Sequence, residues 1–130
     1  MIDKLAEVNY LTFKGKKHPF VVSNILQQFE FCKVRGIKLS EYYAELGKLN
    51  VEEGEVEVSP EYMEVLTAYI YSTLYAGYTN KKKPVDFKAI DVLEWYLTSS
   101  AEEITELVKP VTIFAEAIQD NNTDEEPKKA

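Results

Sequence analysis

The sequence has little of what most enzyme sites and nucleic-acid surfaces are built from. It contains one cysteine, Cys32, and one histidine, His18, in 130 residues. A lone cysteine excludes an internal disulfide and a cysteine-cluster metal site, and a lone histidine leaves little for histidine catalysis or zinc binding. An excess of positive charge is also missing, because the formal net charge is −7. That charge disfavours general binding to the phosphates of nucleic acid.

Long apolar segments are absent as well. No run reaches the roughly 18 apolar residues of a membrane span. The opening MIDKLAEVNY does not resemble a signal peptide, because acidic and polar residues interrupt it. We therefore expect a cytoplasmic protein, and its length suits one domain with a single core.

Motifs that carry chemistry are not found either: there is no glycine-rich phosphate loop, paired-histidine helix or serine elbow. We expect His18 to be a solvent-facing strand residue and Cys32 to pack in the core. The acidic run GEVEVSPE lacks the glycine and ligand spacing of a calcium loop and reads as a solvated loop. Lys81, Lys82 and Lys83 read as a solvated turn, with a contact to an acidic partner left open. The sequence predicts no catalytic residue, no cofactor and no metal, and hence no enzyme.

What is present predicts a mainly α fold that begins with a β-hairpin over residues 8–23. Polar and apolar residues alternate in VNYLTF, KGKK is a turn, and HPFVV is a return strand. A helix over 24–35 follows, with Ser23 or Asn24 as N-cap and Gly36 as its end. Its apolar stripe is imperfect and comprises Ile25, Leu26, Phe29, Cys32 and Val34.

Further helices are marked by capping residues. Ser40 is placed to cap a short helix ending near Gly47, and residues 51–59 read as a loop. Ser59 and Pro60 begin a helix over 60–76 that Gly77 ends. Asp86 is the expected cap of the next helix, whose apolar face comprises Ile90, Leu93, Trp95, Tyr96 and Leu97.

Ser100 and Glu103 match a capping box for the last helix, and Pro110 predicts a kink or a restart near Lys109. The final residues, DNNTDEEPKKA, lack the apolar side chains that a packed core requires. The sequence thus predicts a small bundle of about five helices after the hairpin, as one domain over 1–118. A disordered, acidic, polar tail is expected over 119–130.

The stretch SPEYMEVLTAYIYSTLYAGY is rich in tyrosine and apolar around most of its helical girth, which is typical of a central helix. Its tyrosines fit the border of a core, where the ring packs and the hydroxyl reaches a polar partner. Alternatively, the flank formed by Tyr71, Tyr75 and Tyr78 is a partner-binding surface, because tyrosine is enriched at interfaces. Both interpretations stay open here. With Tyr42 and Tyr43, these are the candidate partner-binding residues.

The order of these parts resembles the tail assembly chaperones of long-tailed bacteriophages and related prophage elements. The phrases that carry the resemblance are LTFKGKKHPFVVS, a helix closing at RGI, TLYAGY, and the acidic–aromatic DVLEWYL, over roughly residues 8–100. The resemblance implies a non-enzymatic protein that binds the tape measure protein and assists polymerisation of the tail tube protein. It implies action in the host bacterial cytoplasm, absence from the mature virion, and a tendency to form homo-oligomers.

Two other functions remain open from the sequence. One is a structural virion component, such as a tail completion protein. The other is a small ligand-binding protein or enzyme with a pocket near Trp95.

Overall fold

The computed structural model describes residues 5–49 and 59–117, and these form a β-hairpin with helices packed around one long central helix. The hairpin strands are β1 (Val8–Phe13) and β2 (Lys16–Val21). The helices are α1 (Ile25–Arg35), α2 (Tyr42–Leu46), α3 (Pro60–Asn80), α4 (Ala89–Leu97), α5 (Ala101–Leu107) and α6 (109–117). The 3₁₀ turns Leu39–Glu41 and Gly47–Leu49 flank α2. The predicted fold class is confirmed, whereas the loop over 51–59 and the tail over 119–130 fall almost entirely outside the described residues.

The hairpin is closed by a two-residue turn of Lys14 and Gly15, both with positive φ (52° and 79°). That geometry matches the twist of the strands it joins. The register pairs Tyr10 with Pro19. The Tyr10 carbonyl faces away from β2, since it accepts from the Lys109 ammonium. Tyr10 and Pro19 are therefore a non-hydrogen-bonded pair, and the missing N–H of Pro19 costs the hairpin no ladder bond.

Helix α1 begins and ends as the sequence predicts. The Asn24 side chain accepts from the backbone N–H of Gln27 at 2.7 Å, and Gly36 takes the left-handed conformation at the other end. The predicted apolar stripe of α1 is confirmed at Cys32, which is buried, and is wrong at Ile25, Phe29 and Val34, which are exposed. Its buried residues are Gln27, Phe31 and Cys32.

Helix α3 begins at Pro60, with the Ser59 hydroxyl accepting from the N–H of Tyr62 at 3.0 Å. The predicted end at Gly77 is wrong, since α3 continues to Asn80. Gly77 has another role. A Cβ at this position would fall on the Pro19 carbonyl and the Phe20 nitrogen, so only glycine lets α3 lie against β2.

Two predicted caps are formed by other residues. At the start of the short helical segment, the Glu41 carboxylate accepts from the Lys38 N–H at 2.8 Å, and Ser40 is not the cap. Before α4, Asp91 accepts from the Lys88 N–H at 2.8 Å, and Asp86 lies outside the helix. In both cases a carboxylate three residues inside the helix caps its start without a side-chain acceptor at the N-cap itself.

The last two helices follow the sequence closely. Ser100 and Glu103 form a reciprocal capping box at the start of α5. The helix ends at Leu107, and helical structure resumes at residue 109. Pro110 therefore lies in the first turn of α6, where its missing N–H is tolerated, and the predicted restart is confirmed.

Helix α3 is the centre of the core, as its apolar girth predicts. One cluster of buried side chains joins α3 to the hairpin, α4 and α5, and includes Phe20, Leu74 and Leu107. A second joins the first half of α3 to α1 and α2, and includes Phe31 and Leu46. The hairpin and the other helices are thus held together through α3, which contributes side chains to both clusters.

Candidate protein-binding surfaces

The five candidate tyrosines do not lie on one surface. Tyr42 is 1% exposed and Tyr43 is 65% exposed, although they are adjacent in sequence. Tyr71 and Tyr78 are buried, and Tyr75 is half-buried. Of the five, only Tyr43 presents most of its side chain to solvent.

Tyr42 is held inside by a chain of hydrogen bonds. Its hydroxyl donates to the Gln27 side-chain oxygen at 2.8 Å, and the Gln27 amide nitrogen donates to the Ser72 hydroxyl at 2.9 Å. Ser72 donates in turn to the Tyr69 carbonyl at 2.7 Å. Burial raises the pKa of the Tyr42 phenol well above 10, so the group stays a donor. The network ties α1, α2 and α3 together and leaves no polar group of its own unsatisfied.

The flank of α3 that carries Tyr71 and Tyr78 is covered by the chain entering α4. The Phe87 ring meets Tyr71 and Tyr78 edge-on, with centroids 5.9 and 5.3 Å apart. Burial, followed by the nearby carboxylate of Glu30, raises the pKa of Tyr71 to about 12. These contacts account for both tyrosines as packing residues at the border of the core.

His18 is buried, so the expectation of a solvent-facing strand residue is wrong. Its Nδ1 lies 2.7 Å from the Tyr78 hydroxyl, which joins β2 to the last turn of α3. Burial, with Lys16 nearby, lowers the pKa of His18 below 6.5 despite an opposing effect of Asp86. The buried pair of His18 and Tyr78 packs β2 against the end of α3.

The region beside Trp95 is filled by aromatic rings. Trp95 stacks on Phe13 with centroids 5.4 Å apart, and lies 5.3 Å from Phe87 and 5.9 Å from His18. Among residues 5–49 and 59–117, no group of three or more His, Cys, Asp or Glu side chains is arranged to hold a metal ion. The aromatic contacts give Trp95 a structural role at the junction of hairpin, α3 and α4.

Large apolar side chains are instead exposed on α1. Ile25 and Phe29 are 60% and 59% exposed, and they lie one helical turn apart on the same face. We call this pair the α1 outer face. The apolar pattern predicts both residues in the core. The inner face of α1 is instead occupied by the polar side chain of Gln27, which is hydrogen-bonded to Tyr42 and Ser72.

A second exposed pair lies on α4. Ile90 and Leu97 are both largely exposed, seven residues apart and therefore on one side of the helix. We call this pair the α4 outer face. The predicted burial of these two residues is wrong, since Val92 is the residue of α4 that is fully buried.

Comparison with protein-family models, with curated proteins and with solved structures found no match for this chain. None of the helices in the described part of the chain is long and apolar enough to cross a membrane.

Proposed function

We propose that the protein is a tail assembly chaperone of a long-tailed phage or prophage. In this proposal it acts without catalysis, binds the tape measure protein, and assists polymerisation of the tail tube protein around it. It works in the host cytoplasm and is absent from the finished particle.

The phrases that carry the family resemblance pack against one another. Gly77 of TLYAGY lies against Pro19 of KGKKHPFVV, and Tyr78 meets His18 there. Trp95 of DVLEWYL stacks on Phe13 of the hairpin. Phrases far apart in sequence are thus one packed unit, as expected if they belong to one shared fold.

The same packing means that these phrases do not supply the partner surface. The observation that carries the proposal is the α1 outer face. Ile25 and Phe29 expose large apolar area on a helix whose other side is fixed in the core. Such a face suits an amphipathic helix of a partner, which would bury its own apolar stripe against it. Tyr43 is the one candidate tyrosine we retain as a contact residue, because its ring is accessible.

The proposal is tested by co-purification with the tape measure protein encoded in the same gene cluster. Tagged, folded protein should retain the tape measure product from a lysate in which both are expressed, and the heat-unfolded protein should not. Failure of the folded protein to retain it would contradict the proposal. Mass spectrometry of purified particles gives a second test, since a chaperone is expected to be missing there and a tail component present.

A further inference from the structure

Two lysine runs that are more than sixty residues apart in sequence meet at one end of the molecule. The Lys17 ammonium lies 5.6 Å from the centre of the Tyr10 ring, and the Lys81 ammonium lies 5.9 Å from it. Strand β2 and the segment after α3 therefore place their charges over the same aromatic side chain. Neither lysine run alone predicts a binding site from the sequence.

The charge at this end extends beyond Lys17 and Lys81. The chain that follows Lys81 is fixed to the end of α3, because the Lys83 N–H donates to the Tyr78 carbonyl. Lys109 donates to the Tyr10 carbonyl at 3.2 Å. We call the whole set the lysine end: contacts with Tyr10 place Lys17, Lys81 and Lys109 there, and Lys14, Lys16, Lys82 and Lys83 are their neighbours in sequence. All seven are exposed.

These ammonium groups lack acidic partners within the part of the chain that the structure describes. The ion pairs found there involve Arg35 and Lys48 with three glutamates, and no member of the lysine end takes part. Lysine after a helix favours the negative end of its dipole, which accounts for Lys81 to Lys83. It does not account for the hairpin lysines, in a chain whose net charge is −7.

The strand at this end already binds a carboxylate. The outward-facing N–H of Thr12 donates to the Glu106 carboxylate at 2.8 Å, and the neighbouring Tyr10 carbonyl accepts from Lys109. Side chains thus satisfy part of the outer edge of β1, which has no strand neighbour on that side among the described residues. Because Glu106 and Lys109 occupy these backbone groups and α5 packs against β1, a partner at this end would meet the ammonium groups and not the backbone of β1.

We propose that the lysine end is a docking site for an acidic protein segment. The partner is a short stretch of protein with several Asp or Glu residues, which lies across the ammonium groups of Lys17 and Lys81 above the Tyr10 ring. This goes beyond the chaperone proposal, because the site is distinct from the α1 outer face and does not depend on it.

Single-stranded nucleic acid fits the same end less well. Proteins that bind it use several stacking aromatics along a groove, and Tyr10 is the one exposed aromatic at this end. The lysine end contains no arginine to grip phosphate in two places. A longer polyanion would also extend past the lysines onto a surface that carries the acidic excess of the chain.

The test is fluorescence anisotropy with a labelled peptide of eight glutamates at low salt. The wild-type chain should bind it, and Lys17→Gln/Lys81→Gln should weaken binding by about tenfold. Lys33→Gln/Lys38→Gln removes two exposed lysines from the other end and should change binding less than about twofold. A labelled oligothymidine of equal charge should bind more weakly than the peptide.

Circular dichroism establishes that each variant is folded. If Lys17→Gln/Lys81→Gln unfolds, the same comparison is made with the single variants Lys17→Gln and Lys81→Gln, and a loss of about threefold is expected from each. No binding by the wild-type chain, equal loss in the matched control, or tighter binding of the oligothymidine would each overturn the proposal.

Discussion

Tyr42 and Tyr43 are neighbours in sequence, yet one is inside the molecule and the other outside. Tyr42 points at Gln27 and donates to it, whereas Tyr43 rests edge-on against the Tyr42 ring and faces solvent. Both are aromatic, amphipathic and placed on the same short helix. The buried Tyr42 has a polar partner inside the molecule, and among the described residues no such partner accounts for Tyr43.

The same contrast holds for the interior around α3 and for the outer faces of α1 and α4. Inside, the hydroxyls are hydrogen-bonded: Tyr69 donates to the Val22 carbonyl at 2.8 Å, and Thr73 to the Ile70 carbonyl at 2.7 Å. Outside, Ile25, Phe29 and Leu97 stand in solvent. The core thus contains some hydrogen-bonded polar groups, while several large apolar side chains are exposed. Exposed apolar side chains of this kind are expected where a surface binds another protein.

The largest effect on the interior is expected from Gly77→Ala. The new Cβ would collide with the backbone of Pro19 and Phe20, so the hairpin must move away from α3. We expect a loss of about 3 kcal/mol in the free energy of unfolding or failure to fold, measured by urea denaturation.

Gly47→Ala is its matched control. Gly47 has a helical φ of −60°, and a Cβ there meets nothing within 4 Å. Its free energy of unfolding should change by less than about 1 kcal/mol, in the stabilising direction. Similar losses in both variants would contradict the close packing of α3 on β2.

Tyr42→Phe should have the next largest effect. It removes the donor to Gln27 and leaves a buried amide oxygen unsatisfied. The expected cost is about 1–3 kcal/mol. Tyr43→Phe, in the same assay, should cost almost nothing. If the two variants had the same urea midpoint, the distinction between the two tyrosines would be wrong.

A smaller effect should come from His18. Its pKa in the folded protein lies below 6.5 because the imidazole is buried. Between the folded pKa and about 6.5 the unfolded chain binds more protons, so stability is full above that range and falls as the pH drops through it. The urea midpoint should therefore fall more between pH 7.5 and 5.5 in the wild-type chain than in His18→Gln. An equal fall would mean that other groups account for the pH dependence.

The smallest effect on stability is expected from the outer faces. Ile25→Ser/Phe29→Ser and Ile90→Ser/Leu97→Ser remove exposed side chains that are not part of either core cluster. Each pair should shift the free energy of unfolding by no more than about 1 kcal/mol. A loss comparable to that of Tyr42→Phe would show that these faces support the fold.

Local rules were enough to predict the hairpin, the starts of α1, α3 and α5, and the restart at Pro110, because each depends on residues a few positions apart. They failed where a distant contact decides the outcome. Gly77 resembles a helix end, but it is required by Pro19, which is far away in sequence. Ile25 and Phe29 resemble core residues until Gln27, Tyr42 and Ser72 are known to meet on the opposite face. The lysine end was missed for the same reason, since its two runs converge only in the folded chain.

The most direct test is to measure how variants bind the proposed partner, the tape measure protein. One variant changes the α1 outer face, and the other changes the tyrosine flank of α3. Ile25→Ser/Phe29→Ser should lose most of the affinity at nearly unchanged stability. Tyr71→Phe/Tyr75→Phe, which keeps both rings, should bind as the wild-type chain does. Full binding by Ile25→Ser/Phe29→Ser, or loss of binding by a folded Tyr71→Phe/Tyr75→Phe, would contradict the claim that the chain meets its partner through the α1 outer face.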